Sequence, residues 1–252
     1  MRTVVIIALH TLREQWKNRF LQLLLIFGGV LIYAALLLGA MAAEQERRVL
    51  LNFGLGLIEL SGLAAVVVGC AYAVLRDMET KTIYLILSRP VSRGAYIVGK
   101  YAGLMLAAAA AMACMAVLHL LLLKFKGADA GAGYAAIIFS SWLKAALVGA
   151  LTMLVSLIST SSLSALLMSG IFWTLGHFTG ELRYISSKLG GASALLIQPL
   201  QWVIPDLSLL NLRDSFAAAL PHASWSVLLG YSALYCGVSL ALACLLFSRK
   251  EF

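Results

Sequence analysis

Two charged residues stand inside or at the edge of long apolar runs, Glu59 in IELSGLAAVVVG and Lys144 in SSWLKAALVGAL. A charge held in hydrocarbon costs at least about 2.5 kcal/mol unless something compensates it. Each is therefore a candidate for a polar route through a membrane, which the two could line or lock if they pair across a helix bundle. Each also has a plainer place. A slightly later start to its helix lets Lys144 snorkel to the surface, and Glu59 can sit at headgroup level.

Met105, Met112 and His119 recur at seven-residue spacing, with Met115 beside them, which puts soft-metal ligands on one helical face. The spaced alanines between them point more strongly to close helix packing, with methionine as filler, so no metal is assigned. His177 and Glu181 are four apart and could meet on one helical face as a hydrogen-bonded interfacial pair. Gly94, Gly99 and Lys100 fit the first part of a phosphate-binding loop, but Tyr101 stands where a magnesium-holding Ser or Thr is needed and no buried strand precedes Gly94. No HExxH sequence, metal-spaced Cys/His cluster or elbow serine is present. The chain is accordingly not expected to be an enzyme, and no cofactor is expected in it.

The elements that carry these residues follow from composition. Hydrophobic residues make up 62% of the 252-residue chain and charged residues 12%, with mean hydropathy +0.95. A soluble domain carries about 25% charged residues, so this is an integral membrane protein, and all-α. The net charge of +8 comes from basic residues scattered at the ends of apolar runs. With no basic stripe or aromatic platform they read as topology signals, not as a nucleic-acid surface. Cys70, Cys114, Cys236 and Cys244 all fall within apolar runs and read as small buried side chains.

Residues 1–20 carry Val5, Leu9, Leu12 and Trp16 at helical spacing, with Arg13, Glu14 and Lys17 on the other side, the pattern of an amphipathic interfacial helix. Six spans follow at 21–43, 55–75, 101–123, 136–158, 163–178 and 224–247, each judged against a hydrocarbon core of about 30 Å. The polar Ser159 to Ser164 stretch is a turn with helix capping. Residues 179–223 are apolar in pieces cut by Pro199, Pro205 and Pro221, which predicts short amphipathic or re-entrant helices, with a simple connecting loop as the alternative.

Residues 76–100 form a polar, largely basic island between spans 2 and 3. Asp77, Thr80 and Thr82 can cap a helix start, and Glu79 in the first turn would suit its positive end. Ile83, Leu85, Ile86 and Leu87 make one apolar patch, Pro90 ends a short helix near Arg89, and Ser92 can cap the next. Glu79, Thr80, Thr82 and Ile83, then Leu87-Ser88-Arg89-Pro90-Val91-Ser92-Arg93 and Gly99-Lys100, resemble a segment of ABC-2 type permeases, the NosY-like branch above all. Lys81 departs from the resemblance, since many relatives carry Gly there.

The resemblance implies the membrane subunit of an ATP-binding cassette transporter, a homodimer bound to two copies of a cytosolic ATPase that holds the ATP and magnesium. It makes the helix around Glu79 to Ser88 a coupling helix, with Arg89 and Arg93 anchoring it to acidic groups or lipid phosphates and Pro90 setting its angle to span 3. It makes 179–223 an extracytoplasmic gate. Eleven Lys and Arg lie on the side of the island and both termini, against seven on the other, so that side is expected to be cytoplasmic in a bacterial inner membrane. Expected partners are the ATPase, membrane lipids and a possible periplasmic protein that ATP-driven motion could act on. An ATPase-independent secondary transporter or an assembly scaffold is the rival reading, although internal repeats and midplane-broken spans are not evident.

Overall fold

The structure, a computed structural model, describes residues 2–41, 45–83, 91–131, 133–188, 203–213 and 224–250. Leu87, Ser88, Arg89 and Pro90 of the expected coupling helix lie outside the described residues, as do 189–202 and 214–223 of the expected gate. The described chain is helical, with no strand among those residues. Helix α1 is Arg2–Lys17, α2 Arg19–Met41, α3 Glu46–Glu79, α4 Arg93–Phe125, α5 Tyr134–Ile158, α6 Ser162–His177, α7 Thr179–Lys188 and α8 Trp225–Arg249, with a single 3-10 turn at Ser208–Leu210.

Among the described residues, four helices (α3, α4, α5 and α8) are long and apolar enough to cross a membrane. A fifth is added if α1 and α2, bent by 60° between Lys17 and Arg19, count as one broken span. At the bend the Phe20 amide donates to Asn18 Oδ1 at 3.0 Å, a side-chain cap that starts α2. The expected fifth span forms α6, whose 16 residues fall short of the roughly 20 a crossing helix needs. The chain turns at Phe178 and continues directly as α7. Two expected caps are in place: Ser92 Oγ accepts from the Ala95 amide at 3.3 Å, and Ser161 Oγ from the Ser164 amide at 3.2 Å.

The island begins differently from the sequence expectation. Asp77 and Glu79 do not open a helix. They end α3, which runs on because its apolar register passes Leu75 and Met78, no Pro interrupts it and no Gly falls between Gly69 and Glu79. Thr80 is the cap of that helix end, with Oγ1 donating to the Arg76 carbonyl at 2.8 Å. Lys81 then takes φ +57°, the left-handed conformation in which helices commonly end on glycine. This is the position at which the resembling segment has Gly.

Helix α5 lies at the centre and is mostly buried, while α8 is mostly exposed and stands at the periphery. Helix α3 packs on α5, α4 and α2, and α1 lies along α4. The α3–α4 contact is a series of large side chains in glycine notches. His119 lies against Gly54, Met112 against Gly62 and Leu104 against Gly69, while Met115 reaches Gly28 of α2. A methyl group at any of these glycines would run into its neighbour. On the other side of α4, Gly99 and Gly103 admit the backbone of α1 at Val4 and Ala8.

Helix α1 thus uses small residues, Ala8 and Thr11, to seat itself. Its apolar stripe of Val5, Leu9 and Trp16 faces outward, about half exposed at each residue. A stripe of that kind left uncovered suits a helix whose outer side meets lipid.

Candidate functional site

Two buried ionic clusters tie the bundle together, one deep in the helix layer and one at the island end. In the first, Lys144 of α5 donates to Glu59 Oε1 of α3 at 2.8 Å, with 2% and 8% of the two residues exposed. The expectation that these residues could pair across the bundle is met in the geometry, and Lys144 does not snorkel. Glu59 lies thirteen residues from the start of α3 at Glu46, about 20 Å along the axis, so the pair is deep in the helix layer.

Neighbours complete this cluster. Ser141 Oγ lies 3.5 Å from Glu59 Oε2, and Arg213 Nη1 lies 3.8 Å from the same oxygen. His177 Nε2 is 4.0 Å from Glu59 Oε1, and Lys144 also donates to Asn211 Oδ1 at 3.1 Å. His177 therefore turns toward Glu59, while Glu181, its partner expected from spacing, is exposed. Removing one member of a buried pair costs roughly 3–5 kcal/mol because the other charge stays behind.

Asn211 and Arg213 are delivered by residues 203–213, irregular backbone packed among α5, α6 and α8. The Leu207 amide donates to the Gly176 carbonyl at 3.0 Å, and Leu207 and Leu210 are buried against Leu143 and Leu147. Asp206 Oδ1 accepts from the Thr179 hydroxyl at 2.7 Å and the Ser208 amide at 3.2 Å, and the Asp206 amide donates to Tyr231 Oη at 2.8 Å. Ser140 Oγ donates to the Leu210 carbonyl. Non-helical backbone is tolerated between membrane helices when its polar groups are satisfied in this way. This part of the expected gate segment is thus docked on the bundle.

The cluster floors an open groove of about 990 Å³ between α3 and α6. Arg48, Asn52 and Phe53 line it toward the Glu46 end of α3, and Glu59, His177 and Arg213 line it at depth.

The second cluster lies at the island end. Asp77 Oδ2 of α3 pairs with Lys100 Nζ of α4 at 2.8 Å and accepts a short hydrogen bond from Tyr96 Oη. Lys100 also lies 3.7 Å from Glu14 Oε2 of α1. Lys100 is 5% exposed, so the lysine set aside as a failed phosphate-loop residue ties three helices together. Neither Asp77 nor Lys100 was singled out from the sequence as a pair. The signal in the sequence is an acid just past one apolar run and a lysine just before the next.

Of the expected coupling residues that are described, Glu79 and Thr80 are exposed, Thr82 is partly buried with Oγ1 2.8 Å from Thr80 Oγ1, and Ile83 is fully buried in the core. Ile83 is therefore not part of an outward apolar patch. Arg93 Nη1 donates to the carbonyls of Phe247 at 3.3 Å, Ser248 at 2.9 Å and Lys250 at 2.7 Å. A cation on the last carbonyls of α8 satisfies them and complements the helix dipole.

Met105, Met112, Met115 and His119 are all buried. Both nitrogens of His119 have protein partners, Nδ1 with Tyr134 Oη at 2.9 Å and Nε2 with the Leu50 carbonyl at 3.3 Å. Met112 and His119 fill glycine notches of α3, whereas the third notch, Gly69, takes Leu104 and not Met105. Among the described residues no group of three or more His, Cys, Asp or Glu is placed to hold a metal ion.

No curated protein is a significant match to the chain. The family model of the ABC-2 family transporter proteins matches residues 4–252, so the chain belongs to that family and is a membrane permease of an ABC transporter.

Proposed function

We propose that this permease is driven by a separate ATPase subunit seated on segment 76–100, in a homodimer carrying two ATPase copies. The observation that carries the reading is how the described part of the island is fastened. Asp77 and Lys100 join its two ends, Ile83 is sunk into the core, and Arg93 holds the end of α8. A displacement of this segment is therefore passed to α1, α3, α4 and α8 together. On this reading Glu79 and Thr80, at the end of α3, face the ATPase, with Leu87, Ser88, Arg89 and Pro90 as further contacts of the coupling segment. The island side, with both termini, is cytoplasmic in a bacterial inner membrane, and all six expected helices act as spans. Assignment to the NosY-like branch belongs to the same proposal.

The Glu59–Lys144 pair and the groove above it form the route for cargo, or the element moved against a periplasmic partner. Residues 203–213 act as its outer gate. The test is co-purification with a genomically adjacent ATPase and measurement of its ATP hydrolysis. Replacing Glu79 and Arg89 by Ala is expected to weaken the complex or uncouple hydrolysis. An unchanged complex with unchanged coupling overturns this placement of the ATPase. Failure of the unaltered chain to bind any ATPase favours the scaffold or secondary-transporter reading.

A further inference from the structure

The bend between α1 and α2 leaves a basin of about 710 Å³ against α3, beside the Asp77–Lys100 pair. Lys17 and Arg19 flank the bend on one wall, and Arg76 projects from the last turns of α3 on the other. All three are exposed, and none is in an ion pair among the described residues. Lys100 lies in the same basin with the carboxylates of Glu14 and Asp77. Four cations therefore face two carboxylates, and the Asp77 charge is already taken by Lys100 at 2.8 Å. The basin carries a surplus of positive charge.

Its surroundings fix the kind of anion. Phe20 and Tyr72, 40% and 44% exposed, form an apolar border beside the cations. Val5, Leu9 and Trp16 of α1 face outward, and α2 continues from the bend as an apolar helix, which sets the basin at the boundary between headgroups and hydrocarbon. A ligand that satisfies both parts has a phosphate for Lys17, Arg19 and Arg76 and an acyl chain for Phe20 and Tyr72.

We infer that this basin binds the headgroup of an anionic phospholipid, which bridges the α1–α2 bend to α3. Its phosphate occupies the space among the three exposed cations and its chain leaves along Phe20. The site stands whether or not an ATPase seats on the island, because it uses cations outside the island contacts except Arg76, whose place here is the basin wall.

The experiment uses the full chain in neutral detergent, titrated with phosphatidylglycerol, with phosphatidylcholine, or with water-soluble glycerol phosphate. Bound lipid is counted by native mass spectrometry and thermal unfolding is followed in parallel. Phosphatidylglycerol is expected to bind at least about tenfold more tightly than phosphatidylcholine and to raise the unfolding midpoint. The triple variant Lys17→Gln, Arg19→Gln, Arg76→Gln is expected to lose that preference. The charge-retaining variant Lys17→Arg, Arg19→Lys is expected to keep it, as is Lys124→Gln at the opposite end. Equal binding of the two lipids by the unaltered chain overturns the inference, and so does a preference that survives the triple variant. An equal response to glycerol phosphate replaces the lipid with a free phosphate ligand. Should the triple variant not fold, Arg76→Gln alone decides, with a several-fold weaker preference expected and no change overturning the site.

Discussion

Asp77 meets Lys100 across helices that follow one another in the chain, whereas Glu59 meets Lys144 across α3 and α5 with α4 between them in sequence. The first pair sits at a helix end, where Glu14 is a second acid for the same lysine and Tyr96 donates to the carboxylate. The second lies deep between α3 and α5 and has its neighbours, Asn211 and Arg213, supplied by an irregular segment from much later in the chain. One pair thus has a second acid from α1 and a hydroxyl from α4 beside it, and the other depends on a segment made after α6. The contrast separates a fastening from a device that reports assembly.

The largest effect is expected at the deep pair. Lys144→Met leaves Glu59 buried beside Arg213 and His177 without its nearest cation, and should destabilise the folded protein by roughly 3–5 kcal/mol, read as a lowered unfolding midpoint in detergent. Glu59→Gln combined with Lys144→Met should recover much of that loss, since the stranded charge is gone. A double variant as unstable as the single one breaks the description of the pair as mutually compensating. Asp77→Asn is expected to cost less, roughly 1–3 kcal/mol, because Glu14 remains near Lys100 and the amide can still accept from Tyr96. If Asp77→Asn equals or exceeds Lys144→Met in the same assay, the distinction between a backed-up and a dependent pair fails.

The smallest effect has the opposite sign. Lys81 pays for a left-handed backbone that glycine takes freely, so Lys81→Gly should stabilise the end of α3 by roughly 0.5–1 kcal/mol. A destabilised Lys81→Gly protein would mean that the lysine side chain contributes more than its backbone costs.

Much of the helical layout is legible in the sequence because it depends on local terms. Apolar runs locate α3, α4, α5 and α8, and Ser92 and Ser161 mark helix starts by hydrogen bonds to amides three residues on. Glu59 and Lys144 are legible for the same reason, as charges in the wrong solvent. Asp77 is not, because a short acidic side chain near Thr80 and Thr82 has the look of a cap, and only the partner on α4 reveals its use. The spacing of Met105, Met112 and His119 is visible, but its meaning lies on the facing helix, in Gly54 and Gly62. The docking of 203–213 rests on contacts with Gly176, Thr179 and Tyr231 that no local pattern carries.

The order of the two deep charges along the chain has a consequence for biogenesis. A lysine near the middle of a helix raises the cost of handing that helix to lipid by roughly 2.5–3.5 kcal/mol. Lys144 follows Glu59 by 85 residues, so its acid is synthesised first. When α5 leaves the ribosome, α3 is already made and can meet it at the translocon, and neutralisation then accompanies insertion. A chain with the two charges exchanged has the same pair at the end but asks the earlier helix to wait in the bilayer with a lysine in place of a glutamate.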